Sequence, residues 1–574
     1  MTPVRKVFRI ASALPLVLLA AACGDDPAPP ASAPSATPST AAAPSAQAPA
    51  GDPAARAAAV AAKLTDEDLA GQVLMPYAYG NSATEVDKVS AAGNQRIGGV
   101  NTPAEMVTKF RLGGLILVGF TAGDPTADTN PATNVENPRQ VRALTAGLQS
   151  AAARTPAQVP LLIGTDQEYG VVTRVTDGVT MLPSAMGFGA ARQPRLTEAA
   201  WRAAGTELAA MGITVDFAPV ADTLGSRGSS VIGSRSYGDD PKANGAQVAA
   251  AVRGLQDAGV AAALKHFPGH GHTTGDSHDE LPVVAQSRSA LQRQDWPPFA
   301  AGIDAGAGVV MSGHLDLTAI DPGVPATFSR KIMTDVLRGQ LKFTGVAVTD
   351  AMNMAPAKKW PAGEAAVRAL NAGNDVLLMP PDIAAARDGI LAGLKDASLP
   401  RPRLVEAVTR ILTLKFRAAG KSQPELSVLG SAEHQRAVLA ADAASITVLR
   451  GRCSGPLVSG PVTVTASGGR ELARGTLETA LRDAGVRVQP SGGTVIHLAG
   501  FGDRKTDLSA DAALTVGMDA PYLLPAAGSP TVVATYSSSK LSLTALAAVI
   551  AGKAKAPGRS PVAVAGLPRS ACAD

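Results

Sequence analysis

Four of the chain's seven histidines lie within thirteen residues, in Lys265-His266-Phe267-Pro268-Gly269-His270-Gly271-His272 and the following Asp276-Ser277-His278. Imidazoles titrate near neutrality and also bind zinc, so the cluster suits proton transfer or metal ligation, with a solvated polar loop as the third alternative. His266 and His270 have the spacing of a zinc-binding helix, but Pro268-Gly269 between them breaks a helix. Asp276, two residues before His278, can hold an imidazole's tautomer and stabilise its cation, or can cap the turn through backbone bonds. Asp350, in Val348-Thr349-Asp350-Ala351-Met352, is a carboxylate suited to nucleophilic attack. Asp350 and His278 together would supply the two groups that retaining glycoside hydrolysis requires, one to attack the anomeric carbon and one to protonate the leaving oxygen.

Side chains so far apart in sequence need a scaffold that collects them. Eight short apolar runs recur at 72–76, 113–120, 159–164, 214–220, 260–264, 309–312, 345–349 and 375–379, separated by segments with helical patterning. Continuous apolar strands alternating with helices imply a parallel sheet covered on both faces, and eight such units close a (β/α)8 barrel. Catalytic residues in that fold follow the C-terminal ends of strands. Asp166, Gln167 and Glu168 follow the third run, Asp222 the fourth, the His-rich segment the fifth, His314 the sixth and Asp350 the seventh. One shared pocket accounts for that series better than the general polarity of loops.

The flanking regions set the organisation. Residues 1–23 carry Arg5, Lys6 and Arg9, an apolar run from Ile10 to Ala22, and then Cys23, the pattern of a lipoprotein signal whose Cys23 is acylated. The expected location is therefore outside the cytoplasm, held to the cell membrane by lipid, with cleaved secretion as the alternative. Residues 24–52, almost all Ala, Pro, Ser, Thr and Asp, bury too little to fold and read as a tether. The barrel is expected over 53–420, a linker over 421–433, and a smaller α/β domain, αβα sandwich-like, over 434–574. A net charge of +4 with no basic run argues against nucleic acid. Cys453 and Cys572, 119 residues apart, are either bridged or free thiols. In the second domain β-type runs are expected at 445–449, 462–465, 494–499 and 531–535, with His497 a satisfied core side chain.

The segment Lys265 to Gly271 with Asp276-Ser277-His278 resembles the signature of the bacterial β-N-acetylglucosaminidases of glycoside hydrolase family 3, and the resemblance runs from about Leu64 to Lys415. It implies His278 as acid/base, Asp276 as its dyad partner and Asp350 as nucleophile. It further implies sugar contacts at Asp166 and Arg174, at Arg235 of the segment 231–237, and at Lys265 and His266. No cofactor and no metal are implied. The substrate implied is terminal β-linked N-acetylglucosamine on peptidoglycan fragments, with transfer to phosphate, a broader β-glycosidase, or a lipid-anchored sugar-binding protein without turnover as the alternatives. The oligomeric state is left open. Two positions depart from the pattern: Tyr169 stands where the family has a first glycine after the Glu, and Val171 where Arg is common. Tyr169 is accordingly expected to narrow the pocket mouth or to meet the aglycone. Aromatics are only 3% of the chain, which suggests an exo-acting pocket gripping one sugar by hydrogen bonds and not a long groove.

Overall fold

The computed structural model describes residues 51–119, 133–226, 229, 231–273 and 275–572. The signal segment, Cys23 and the tether as far as residue 50 lie outside the described residues. Asp52 caps the first described helix, Pro53–Ala61, accepting from the amides of Ala54 and Ala55.

All eight apolar runs become strands. They are β1 (Leu74–Met75), β2 (Gly114–Ile116), β3 (Leu162–Thr165), β4 (Val215–Asp216), β5 (Ala261–Phe267), β7 (Val309–Ser312), β9 (Val346–Thr349) and β10 (Leu377–Leu378), with β6 (Val283–Val284) and β8 (Asp316–Leu317) forming a separate parallel pair outside them. The order β2-β3-β4-β5-β7-β9 is parallel throughout. The ring closes because β1 pairs with β10, Val376 bridges to Val348 beside β9, and Ile116 N donates to the Pro76 carbonyl at 3.0 Å. Each strand is buried on both faces, one toward the barrel axis and one toward the helices, which is why the runs read as unbroken apolar sequence. The axis is filled by side chains: a Cβ on Gly164 would come within 2.5 Å of Met75 Cε and 2.8 Å of Phe217. At the opposite end from the site, before β10, buried Asp375 meets Arg338 at 2.7 Å, Arg403 at 2.9 Å and Arg410 at 3.1 Å.

The second domain has a five-stranded sheet, β11 (Thr447–Arg450), β12 (Val462–Ala466), β13 (Thr494–Ala499), β14 (Leu514–Gly517) and β15 (Thr531–Ala534), in the order β11-β15-β14-β13-β12 with only β11 antiparallel. β14 has no counterpart among the runs read from sequence. The helix Ala432–Ser445 begins two residues before the expected boundary, capped by Ser431. Buried Glu207 accepts from Gly430 N at 3.0 Å and pairs with His434 at 2.7 Å, so the connecting segment is fastened to the barrel. Side chains alternate across the sheet. Val448 and Val533 face the helices Glu471–Asp483 and Lys540–Ile550, whereas Leu449, Val532 and Ala534 join a cluster with the barrel's Met186, Ala190, Val220, Leu224 and Ile232. The barrel thus supplies part of the cover on that face. Cys453 and Cys572 are joined in a disulfide with their Cα atoms 5.3 Å apart. His497 is buried between Thr465 Oγ1 (3.0 Å) and the Asp507 carbonyl (2.9 Å), the satisfied core role expected of it.

Candidate active site

One pocket opens at the C-terminal ends of the barrel strands and is lined by Asp166, Glu168, Arg174, Arg235, Lys265, His266, His278 and Asp350 among others. β3 delivers Asp166 and Glu168, β5 delivers Lys265 and His266, and β9 delivers Asp350, each just at or past a strand end. Strand alternation would send the neighbours Lys265 and His266 to opposite faces, but the ladder with β7 shifts register between Leu264 and Phe267 and both line the pocket.

Asp350 is fixed by its backbone, with its N–H on the Ser312 carbonyl at 2.9 Å and Ala351 N donating to Oδ1 at 2.8 Å. Burial works against its ionisation, but the imidazoles of His266 and His314 and the Ala351 amide outweigh burial and hold it below the usual carboxylate range. His278 reaches the pocket from the loop after β5. Its Nδ1 lies 2.6 Å from Asp276 Oδ1, which also accepts the His278 backbone N–H at 2.9 Å. The hydrogen bond to that imidazole, foremost, lowers Asp276 to about 2. Asp276 therefore makes both the backbone turn and the imidazole pair, the two readings that the sequence left as alternatives. The loop is pinned at its far end, where Asp316 N donates to the Pro282 carbonyl at 2.9 Å beside the β6–β8 pair.

The expected sugar contacts form a charged network at the floor. Lys265 Nζ sits 2.7 Å from Asp166 and 2.6 Å from Glu168, and Arg235 grips Glu168 through Nε at 2.7 Å and Nη2 at 2.8 Å. Arg174 Nη2 is 3.6 Å from Asp166. Burial disfavours the charged form of Glu168, yet Arg235 and Lys265 outweigh it and keep the carboxyl well below its usual range. For Lys265 burial likewise opposes the charge, and Asp166 and Glu168 more than restore it, holding its pKa above the usual lysine value. The result is an array of fixed charges whose partly exposed member, Asp166, faces the opening.

Each imidazole of the cluster has its own hydrogen-bond partner. His266 Nδ1 pairs with Asp222 at 2.8 Å, His270 with Thr273 at 2.6 Å and Ser277 at 3.1 Å, His272 with Asp295 at 2.8 Å, and His278 with Asp276. Among the described residues no group of three or more His, Cys, Asp or Glu side chains gathers in a metal-binding arrangement. Arg235 Nη2 stands 3.4 Å from His266 Nε2.

Two residues noticed only as strand-end carboxylates have definite places. Glu168 is the shared partner of both buried cations, and fully buried Asp222 orients His266 through its ring and backbone while also accepting the His270 backbone N–H at 2.7 Å. Their signal was a carboxylate directly after a strand, but the partners are 67 and 44 residues away. Tyr169 corrects the expectation placed on it. It is turned inward by a left-handed backbone (φ 65°), is buried, and meets Trp201 edge-on with ring centroids 5.7 Å apart, so it neither narrows the mouth nor lines the pocket. Gly170 follows at φ 71°, which explains why glycines suit both places. Trp201 and Trp296 are core residues, and Trp360 is half-buried against Phe328.

Residues 84–414 match the glycosyl hydrolase family 3 N terminal domain. The chain is 34% identical over 428 residues to β-hexosaminidase A of Pseudoalteromonas piscicida, covering 68% of each protein. It is 39% identical over 303 residues to a β-hexosaminidase of Chromobacterium violaceum, covering 51% of this chain and 79% of that one. The structure of a family 3 β-N-acetylglucosaminidase from Paenibacillus sp. FPU-7 superposes with a TM-score of 0.74 at 31% identity, over 87% of this chain and 99% of its own. With barrel, pocket and sequence agreeing over more than half its length, the chain belongs to glycoside hydrolase family 3.

Proposed function

We propose that the protein is an exo-acting, retaining β-N-acetylglucosaminidase that removes terminal β-linked N-acetylglucosamine from peptidoglycan fragments. The observation that carries this reading is the shared pocket: an ionised, backbone-fixed Asp350, a His278–Asp276 pair, and the charged cradle of Asp166, Arg174, Arg235, Lys265 and His266. Relatives named β-hexosaminidase and a neighbour named β-N-acetylglucosaminidase support the substrate class.

In the first step an Asp350 carboxylate oxygen attacks the anomeric carbon as the bond to the aglycone oxygen breaks. His278 gives that oxygen its proton from Nε2, the nitrogen that Asp276 leaves unused. In the second step water attacks the glycosyl ester, its proton passes to His278, and Asp350 is released as carboxylate. Asp276 keeps the imidazole in place and stabilises it when charged. The cradle holds one sugar by charge-assisted hydrogen bonds, fixing its orientation for attack.

Trapping with a slow fluorinated N-acetylglucosaminide followed by peptide mapping should place the label on Asp350. A label elsewhere overturns the assignment. Adding inorganic phosphate should leave free sugar as the product; appearance of a sugar phosphate would favour phosphorolysis. We further propose that Cys23 is acylated and holds the enzyme on the outer side of the membrane, a reading supported by the basic and apolar segment before it. Labelling with a radioactive fatty acid should mark the wild type and not Cys23→Ala.

A further inference from the structure

Among the described residues, Asp519 of the second domain makes a polar contact with Ser234, the neighbour of Arg235. The segment 231–236 forms a short 3-10 turn, Gly233–Arg235, whose consecutive side chains diverge. Arg235 turns to the pocket and grips Glu168. Ser234, buried beside it, donates its hydroxyl to Asp519 Oδ1. Asp519 stands two residues past the end of β14, in the second domain. Two residues before Ser234, the buried Ile232 side chain enters the apolar cluster of Leu449, Leu524, Val532 and Tyr536 from that domain. On the other side of the turn, Ser236 Oγ donates to the Asp222 carbonyl at 2.6 Å, and the Asp222 side chain holds His266. The turn that carries Arg235 is thus held between a barrel carboxylate's backbone and a second-domain carboxylate. A guanidinium that must keep a bidentate bond and also meet a sugar tolerates little rotation of its backbone.

We propose that Asp519 is a positioning residue for sugar binding: through Ser234 it sets the turn that aims Arg235, so that the second domain completes the pocket without contributing a group that touches the substrate. This rests on the reading of Arg235 as a sugar contact. The same relation makes the barrel's cradle dependent on a residue 284 positions further along the chain than Arg235.

The test is steady-state kinetics of the full chain on a chromogenic β-N-acetylglucosaminide, with thermal melting in parallel. Asp519→Ala should raise KM about tenfold with kcat changed less than about threefold, the cost of a binding group released from its aim. Asp519→Asn, whose carbonyl oxygen can still accept from Ser234, should return KM to within about threefold of wild type. Ser234→Ala should match Asp519→Ala, and the double variant should be no worse than either single one. Asp239→Ala serves as the interface control, because it removes the paired bonds from Arg569 at 2.9 and 2.7 Å elsewhere between the same bodies. It should lower the melting temperature and leave KM unchanged. An unchanged KM in Asp519→Ala, multiplying effects in the double variant, or an equal KM rise in Asp239→Ala overturns the proposal. Arg235→Ala separates the two levels: if it leaves KM unchanged, the reading of Arg235 fails, whereas if it raises KM and Asp519→Ala does not, only the role of Asp519 fails.

Discussion

Replacing Asp276 by Asn removes one negative charge and little volume. In the native loop Asp276 Oδ1 accepts two hydrogen bonds, from the His278 backbone N–H at 2.9 Å and from the ring Nδ1 at 2.6 Å, and an Asn carbonyl can accept both. What disappears is the charge that stabilises the imidazolium while it waits to protonate the leaving oxygen. A hydrogen bond to a charged partner contributes about 1.5–3 kcal/mol. Asp276 is about one-third exposed, at 34% for the side chain, so water screens part of that and the lower half of the range applies. At about 1.4 kcal/mol per decade, kcat should fall roughly tenfold to fortyfold with KM nearly constant. Asp276→Ala, which also releases the backbone turn, should cost more. The assay compares an aryl glycoside, whose leaving group needs little protonation, with a disaccharide, whose leaving group needs much. The loss should be larger for the disaccharide wherever bond cleavage limits the rate. Equal kcat for Asn variant and wild type on the disaccharide, or a loss confined to KM, would refute the assignment of Asp276 as partner to a proton carrier.

Three further outcomes follow from the buried groups. Glu168→Gln leaves Lys265 and Arg235 in the interior without their shared anion, and should lower unfolding free energy by about 3–5 kcal/mol in urea denaturation; a cost under about 1 kcal/mol would show that the network is not load-sharing in this way. Tyr169→Gly loses a buried ring, about 3–5 kcal/mol, and regains about 1 kcal/mol from the left-handed backbone, so stability should drop by about 2–4 kcal/mol while KM stays put; a changed KM would mean the ring does reach substrate. His270 is buried and lowered by that burial to about 4. An unfolded imidazole protonates near 6.5, so its contribution is complete above that pH and is lost at roughly 1.4 kcal/mol per pH unit as pH falls from about 6.5 to about 4. In His270→Gln, the slope of unfolding free energy against pH over that window should shrink by about that amount, and identical slopes would contradict it.

The barrel was legible because a strand buried on both faces must be apolar at nearly every position, as in Val309-Val310-Met311-Ser312. The placement of Asp166, His266 and Asp350 followed from their standing at or just past such runs. β14 escaped notice because Leu514-Thr515-Val516-Gly517 is short and mixed; it pairs with β13 and β15 on either side, and Leu514 and Val516 are buried in the cluster under the helices. The roles of Glu168 and Asp222 were hidden for another reason: a carboxylate after a strand looks the same whether it faces solvent, substrate or a buried cation. The cations and the imidazole that decide between those fates, Lys265, Arg235 and His266, stand 44 or more residues further along the chain. Tyr169 was misplaced because it follows Glu168 directly, at a place where the resembled family has glycine, whereas a positive φ rotated the ring into the core.

The shared cover of the second sheet bears on how far the barrel can be used alone. A chain shortened after the helix Arg401–Ala418 would keep every pocket-lining side chain, yet it would present Met186, Ala190, Val220, Leu224 and Ile232 to water, a contiguous apolar patch. Solubility would then stand beside the lost Asp519 contact to Ser234 as an obstacle for an isolated barrel. Polar replacements on that patch, chosen at Met186 and Leu224 away from the pocket lining, are where the design of a minimal enzyme would begin.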